Sequence, residues 1–203
     1  MTRTADGPAL LTGDVAALPD AALTRAGEVA SSFRARGVHD MRAAARHIRD
    51  LPYGRIADRA RPLLVLDERR GTCTTKHALL STLAAEQGID LALTLGIYEM
   101  SEANTPGVGE VLARHGLTTI PEAHCYLTWN GARIDVTRAV EAAEPIRRFL
   151  HEERISPAQI GAYKIEMHRC FLAEWLARHR PDLDLETTWR IREACIAALS
   201  DPR

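Results

Sequence analysis

Arg69-Arg70-Gly71-Thr72-Cys73-Thr74-Thr75-Lys76-His77 is the stretch from which the fold reads outward. A glycine-containing loop turns here into a helix, and Thr72 stands where an N-cap hydroxyl accepts from an unpaired first-turn amide. Cys73 then takes the first helical position. The helix dipole and the free N–H groups there favour an anion, so a thiolate forms more readily than in water. Ala78, Leu79, Leu80, Leu83 and Ala84 give the helix an apolar face, and Gly88 stops it. Cysteine is among the most buried residue types, so this stretch alone reads first as an inert thiol at a helix start.

Downstream, Ala123 to Thr137 contains two alternating segments around Asn130-Gly131, the dipeptide of a two-residue type I′ hairpin turn. The turn predicts the register: Trp129 opposite Ala132, Thr128 opposite Arg133, Leu127 opposite Ile134, Tyr126 opposite Asp135 and His124 opposite Thr137. One face then carries Cys125, Leu127, Trp129, Ala132, Ile134 and Val136. The other carries His124, Tyr126, Thr128, Arg133, Asp135 and Thr137. His124 and Asp135 become diagonal neighbours, roughly 7–8 Å apart at the backbone and within side-chain reach. A carboxylate held there can orient an imidazole and stabilise its protonated form. By itself such a face is usually only solvated. Set beside a cysteine on a helix N-terminus, it supplies the imidazole and carboxylate that thiol acyl transfer needs.

Gly71-x-Cys73 opening a helix, Leu93-Thr94-Leu95-Gly96 as a strand ending in glycine, His124 with an aromatic two residues on, and Asp135 on the next strand resemble the transglutaminase-like superfamily. Leu51-Pro52-Tyr53-Gly54 is similar to that family's lead-in, so the likeness covers roughly residues 51 to 137. The resemblance implies an α+β fold of cysteine-protease-like type, with the nucleophile-bearing helix packed on an antiparallel sheet and further helices at both ends. It also implies Cys73 as nucleophile, His124 as general base and acid, and Asp135 as the orienting residue, with no cofactor and no metal. Tyr126 stands where the family often has tryptophan, and Arg133-Ile134 precedes the aspartate in place of the usual aromatic. Neither departure removes a catalytic atom. Substrate choice stays open, since the family holds transglutaminases, proteases, amidases and inactive members; a peptide or a small amide or ester is the expected substrate class.

The remainder of the chain is read against that centre. At 203 residues it is expected to form one domain, with a helical part over 1–50, a catalytic core over 51–138 and C-terminal helices over 139–203. Composition is 46% apolar and 26% charged with net charge −1, which argues against nucleic acid or an anionic membrane as partner. No apolar run is long enough to span a bilayer and no export signal is evident, so a cytoplasmic location with four reduced cysteines is expected, three of them buried structural thiols.

Residues 1–19 read as a loose lead-in. A helix is expected from Asp20 to Arg36 with Gly37 as its stop, and a second from Asp40 to about Arg49 with Met41, Ala44, Ala45 and Ile48 inward. Leu63 to Leu66 fits either a turn of helix or a buried extended piece. Ile89, Leu91, Leu93, Leu95 and Ile97 alternate as a strand. The excursion over 99–121, with a turn at 104–107 and a short helix near 108–115, reads as a cleft wall, a lid or an inert loop. Past Thr137 the chain reads as helical, from Ser156-Pro157 to about His179 and from Leu185 to Leu199, and a homodimer through these helices is one use for their apolar faces.

Other assignments remain open on sequence. His77, one turn after Cys73, is an alternative base. Cys73, His77, His124 and Cys125 together suggest zinc, although His124 and Cys125 face opposite sides of a strand. Tyr126 could donate to Asp135. Lys76 reads as either a source of positive potential at the thiolate or a solvated lysine, and the remaining histidines as surface residues. A non-catalytic binding module and a thiol-based redox or metal protein are the competing classes.

Overall fold

A computed structural model describes residues 10–138 and 143–200. It is an α+β fold. The strands are β1 (Leu11–Thr12), β2 (Ala92–Met100), β3 (Ile120–Trp129), β4 (Ala132–Ile134) and β5 (His151–Ile155). The helices are α1 (Glu28–Arg34), α2 (Met41–Arg49), α3 (Leu64–Asp67), α4 (Cys73–Glu86), α5 (Gly109–Arg114), α6 (Ala162–His179) and α7 (Leu185–Ala198). The sheet order is β1-β4-β3-β2-β5. Four of these strands are antiparallel, as expected, but β1 runs parallel to β4, so the sheet is mixed.

The parallel edge comes from the segment expected to be loose. Leu11, Val15 and Leu18 are buried, and Thr12 O accepts the Asp135 N–H at 2.8 Å. Residues 1–9 of that lead-in lie outside the described residues. The expected helix over 20–36 shrinks to α1. Residues 20–27 instead run beside the start of α2, with Leu23 N–H donating to His39 O and Met41 N–H to Ala21 O. The α1 N-terminus is capped from afar: the Glu86 carboxylate at the end of α4 accepts from Val29 N–H (2.9 Å) and Ala30 N–H (2.8 Å). α2 matches its expectation. Asp40 accepts from Ala43 N–H at 2.7 Å, and Met41, Ala44, Ala45 and Ile48 are fully buried.

α4 is the central element. Its apolar residues meet Leu93, Leu95, Ile97, Cys125 and Leu127 of the sheet on one side and Phe33, Met41 and Ile48 of α1 and α2 on the other, in one core cluster. Each of its fully buried leucines contributes about 2 kcal/mol by removal from water. Burial runs all round the helix and includes Lys76 and His77, which a single apolar stripe does not foretell.

The hairpin has the expected turn and register. Asn130 and Gly131 both have positive φ (46° and 81°), as type I′ requires, and Leu127–Ile134, Thr128–Arg133 and Trp129–Ala132 are the paired residues. The ladder ends there, so Tyr126–Asp135 and His124–Thr137 do not pair. β2, expected to end at Gly96, continues to Met100. Gly96 lies mid-strand opposite His124, under the Phe149 ring, where a β-carbon would collide with that ring.

Two further expectations change past Thr137. Residues 139–142, the start of the C-terminal part expected to be helical, lie outside the described residues, and His151–Ile155 pairs with β2 as an edge strand. Its charged sequence suits an edge, where exposed charge blocks further pairing. Ser156-Pro157 opens only a short 3-10 turn (Pro157–Ile160), and α6 begins afresh after Gly161. α6 buries Lys164, His168, Leu172 and Leu176, one face at four-residue spacing, while Tyr163 is exposed. The excursion over 99–121 is packed, since Val108, Leu112 and Leu117 join Tyr98, Met100, Ile191 and Cys195 in a second cluster. Of the three thiols expected to be buried and structural, Cys125 and Cys195 are buried but Cys170 is exposed. Among the described residues, no helix is long and apolar enough to cross a membrane.

Candidate active site

Because β4 stops at Ile134, the first half of β3 lacks a strand neighbour on that side, and the N-terminus of α4 comes to this open edge. The Cys125 N–H, which points to that edge, and the His124 ring both act on the Cys73 sulfur and favour its thiolate. His124 Nε2 donates to Asp135 Oδ2 at 2.9 Å, which leaves Nδ1 for the sulfur. Asp135 Oδ1 accepts from the Thr137 N–H (2.8 Å) and hydroxyl (2.5 Å). The three residues singled out by sequence are therefore joined in series, although the ladder that was to align them ends early. Asp135 is held instead by the Thr12 carbonyl on its own N–H and by Thr137.

The charges reinforce one another. Burial pushes the Cys73 thiol up, but the Lys164 ammonium and the His124 imidazolium outweigh it and bring it down to about 6. Burial opposes the imidazolium at His124, yet the Asp135 carboxylate and the Cys73 thiolate raise it well above its ordinary value. Burial likewise opposes ionisation of Asp135, and His124 more than offsets it, holding the carboxyl below the usual range. The favoured state is thiolate, imidazolium, carboxylate.

His77 is not the base. Its Nε2 accepts the Val136 N–H at 2.8 Å, so Nδ1 carries the proton and donates to Cys73 O at 2.8 Å; burial lowers its pKa to about 4. It is a neutral strut between α4 and the segment just past Asp135. Lys76 is neither solvated nor aimed at the sulfur. Its buried ammonium donates to Leu51 O (2.6 Å) and Thr137 O (2.7 Å), and burial lowers its pKa to about 8. Adjacent residues of one helix thus tie down the two residues that follow Asp135. Tyr126 donates to Glu152 rather than to Asp135. Its ring lies parallel to His124 at 6.4 Å, and Tyr98 meets the imidazole edge-on at 5.9 Å.

Sequence reasoning missed Lys164, Glu122, Arg192 and His168. Lys164 Nζ donates to Thr74 Oγ1 at 2.6 Å, and Thr74 Oγ1 is 3.7 Å from Cys73 Sγ. Glu122 and Arg192 form a bidentate buried ion pair at 2.6 and 2.5 Å. His168, expected on the surface, is buried with Nε2 3.0 Å from Pro121 O. The signal was the four-residue spacing that puts Lys164 and His168 in one stripe with Leu172 and Leu176; apolarity alone favoured Ile165, Met167 and Phe171.

Two cavities flank the triad. One of about 300 Å³ opens at Cys73 and is lined also by Tyr53, Glu122, Lys164, Trp189 and Arg192. The other, about 500 Å³, opens at His124 and Asp135 and is walled by Tyr98, Asn104 and Thr105, which makes the 99–121 excursion a cleft wall.

No protein-family model, curated protein or solved structure matches this chain. The zinc alternative fails on geometry: both His77 nitrogens are engaged within the protein, Cys125 faces the main core, and no cluster of three or more His, Cys, Asp or Glu among the described residues is arranged for a metal.

Proposed function

We propose that this protein is a thiol-dependent acyl-transfer enzyme of transglutaminase-like type, on a cysteine-protease-like fold, acting on an amide or ester carbonyl. The observation that carries the reading is the His124–Asp135 hydrogen bond beside a Cys73 thiolate that His124 stabilises, at a helix N-terminus with a cavity at the sulfur. The Cys73 thiolate forms the C–S bond as the carbonyl electron pair moves to oxygen. The adduct collapses, the C–N or C–O bond breaks, and the leaving amine or alcohol takes the proton from His124. The product is a thioester on Cys73 with a neutral imidazole. Water, or an amine, then gives a proton to His124 while attacking the thioester, and the thiolate leaves with the imidazolium restored. Hydrolysis is the favoured outcome, since water is the default acceptor.

The test is acylation by 4-nitrophenyl acetate. A burst of nitrophenolate close to one per chain is expected, with acetyl on Cys73 by peptide mass spectrometry, and with the burst lost in Cys73→Ser and His124→Ala. Acetyl groups spread over surface amines, with none on Cys73, would contradict the assignment.

A further inference from the structure

Outside the triad, the Cys73 cavity contains a buried cation that the mechanism above does not use. Lys164 is 7% exposed, and its ammonium has one hydrogen-bond partner among the described residues, the neutral Thr74 hydroxyl. An ammonium so placed requires a negative partner. In the resting site that partner is the Cys73 thiolate, two contacts away through Thr74. Acylation converts the thiolate to an uncharged thioester and leaves Lys164 facing only Glu122, a carboxylate whose two oxygens already pair with Arg192.

The rest of the wall supplies no uncommitted carboxylate. Arg55, Arg59, Lys164 and Arg192 line the cavity against Glu122 and Glu193. Both carboxylates are already engaged: Glu122 by Arg192, and Glu193 by Arg55 (2.5 Å) and Arg192 (2.6 Å). Once Cys73 is acylated, four cations face two anions. The surplus sits on Lys164 at the sulfur and on Arg59 toward the rim, where Arg59 is exposed.

We propose that this cavity is the acyl-donor pocket and that it selects acyl groups carrying a carboxylate, which pairs with Lys164 as the thiolate charge is lost and with Arg59 on entry. The inference rests on the proposed acyl-transfer reading and gives it a substrate class: amides or esters of acidic acyl groups, with the free carboxylate in the same half of the substrate as the scissile carbonyl. Apolar wall residues Ile56, Ile165 and Trp189 leave room for a short aliphatic spacer between the two.

The probe is a pair of alkylating agents of nearly equal size, iodoacetate and iodoacetamide, used on the full chain with the exposed Cys170 as internal reference. The ratio of the two rates at one thiol cancels its ionisation. Cys73 is expected to favour iodoacetate by about tenfold relative to Cys170, a preference that added salt reduces. Lys164→Met should bring the ratio most of the way down to that of Cys170, Lys164→Arg should keep most of it, and Arg59→Gln, at an exposed site, should lower it about two- to threefold, the share of one rim charge. Equal ratios at Cys73 and Cys170, in a chain whose Cys73 still reacts with iodoacetamide below pH 7, would overturn the anion pocket and leave the nucleophile reading standing. No reaction of Cys73 with either reagent would overturn both.

Discussion

Glu122→Ala is expected to destabilise the fold by about 3 kcal/mol, the lower end of the cost of breaking a buried ion pair. Glu122 and Arg192 are 5% and 11% exposed at their side chains, and their two parallel hydrogen bonds join β3 to α7. Removing the carboxylate strands a guanidinium that keeps only Glu193 at 2.6 Å and the Trp189 ring at 5.3 Å. Replacing both partners with leucine should recover much of the loss, because no charge is then left buried. Urea unfolding of the natural chain, the single variant and the double variant measures this. Equal midpoints for the natural chain and Glu122→Ala would show that the pair contributes nothing.

The pair also sets an acid limit. Burial pushes the Glu122 carboxyl up, but Arg192 outweighs it and holds it at about 2, against an ordinary value of 4.5. A carboxyl whose folded pKa is depressed stabilises the fold above its unfolded value, and that contribution is lost as pH falls from 4.5 through 2. The natural chain should lose stability over that interval more steeply than Glu122→Ala.

The second large effect is on chemistry. Asp135→Ala should slow acetylation of Cys73 by about 10⁴-fold, the scale seen when the third member of such a triad is removed. His124 then loses the acceptor at 2.9 Å that orients it and the charge that stabilises its protonated form, and Thr137 loses both of its hydrogen bonds to Asp135. Asp135→Asn separates those roles. An amide oxygen can still accept from Nε2–H and hold the ring, but it carries no charge. Intermediate acetylation is therefore expected, with the pH dependence of Cys73 alkylation moved upward. If Asn and Ala variants both react like the natural chain, Asp135 does not act on His124.

What could be read from sequence divides by the range of the interaction. The α4 start, α2 with its Asp40 cap, and the Asn130-Gly131 turn are set by neighbours in the chain, and each is found where it was expected. The misses are long-range. α1 is short because Glu86 caps it from another helix, β1 pairs because Asp135 N–H needs an acceptor, and β5 is a charged edge strand with no apolar alternation to reveal it. The candidate site follows the same rule. Cys73, His124 and Asp135 stood out through a helix cap and a hairpin register. Lys164 did not, because a lysine on an amphipathic helix reads as solvated until the fold shows Thr74 across from it.

The central claim, a thiolate–imidazolium pair at Cys73 and His124, is tested most directly by the pH dependence of iodoacetamide alkylation at Cys73, followed by mass spectrometry in the natural chain and in His124→Ala. Thiols ordinarily titrate near pH 8.5. Cys73 should instead react with a midpoint near 6, and His124→Ala, lacking the imidazolium, should shift that midpoint upward by a unit or more, roughly the cost of losing one adjacent opposite charge. A Cys73 that titrates like the exposed Cys170, or that keeps its low midpoint without His124, would contradict the account.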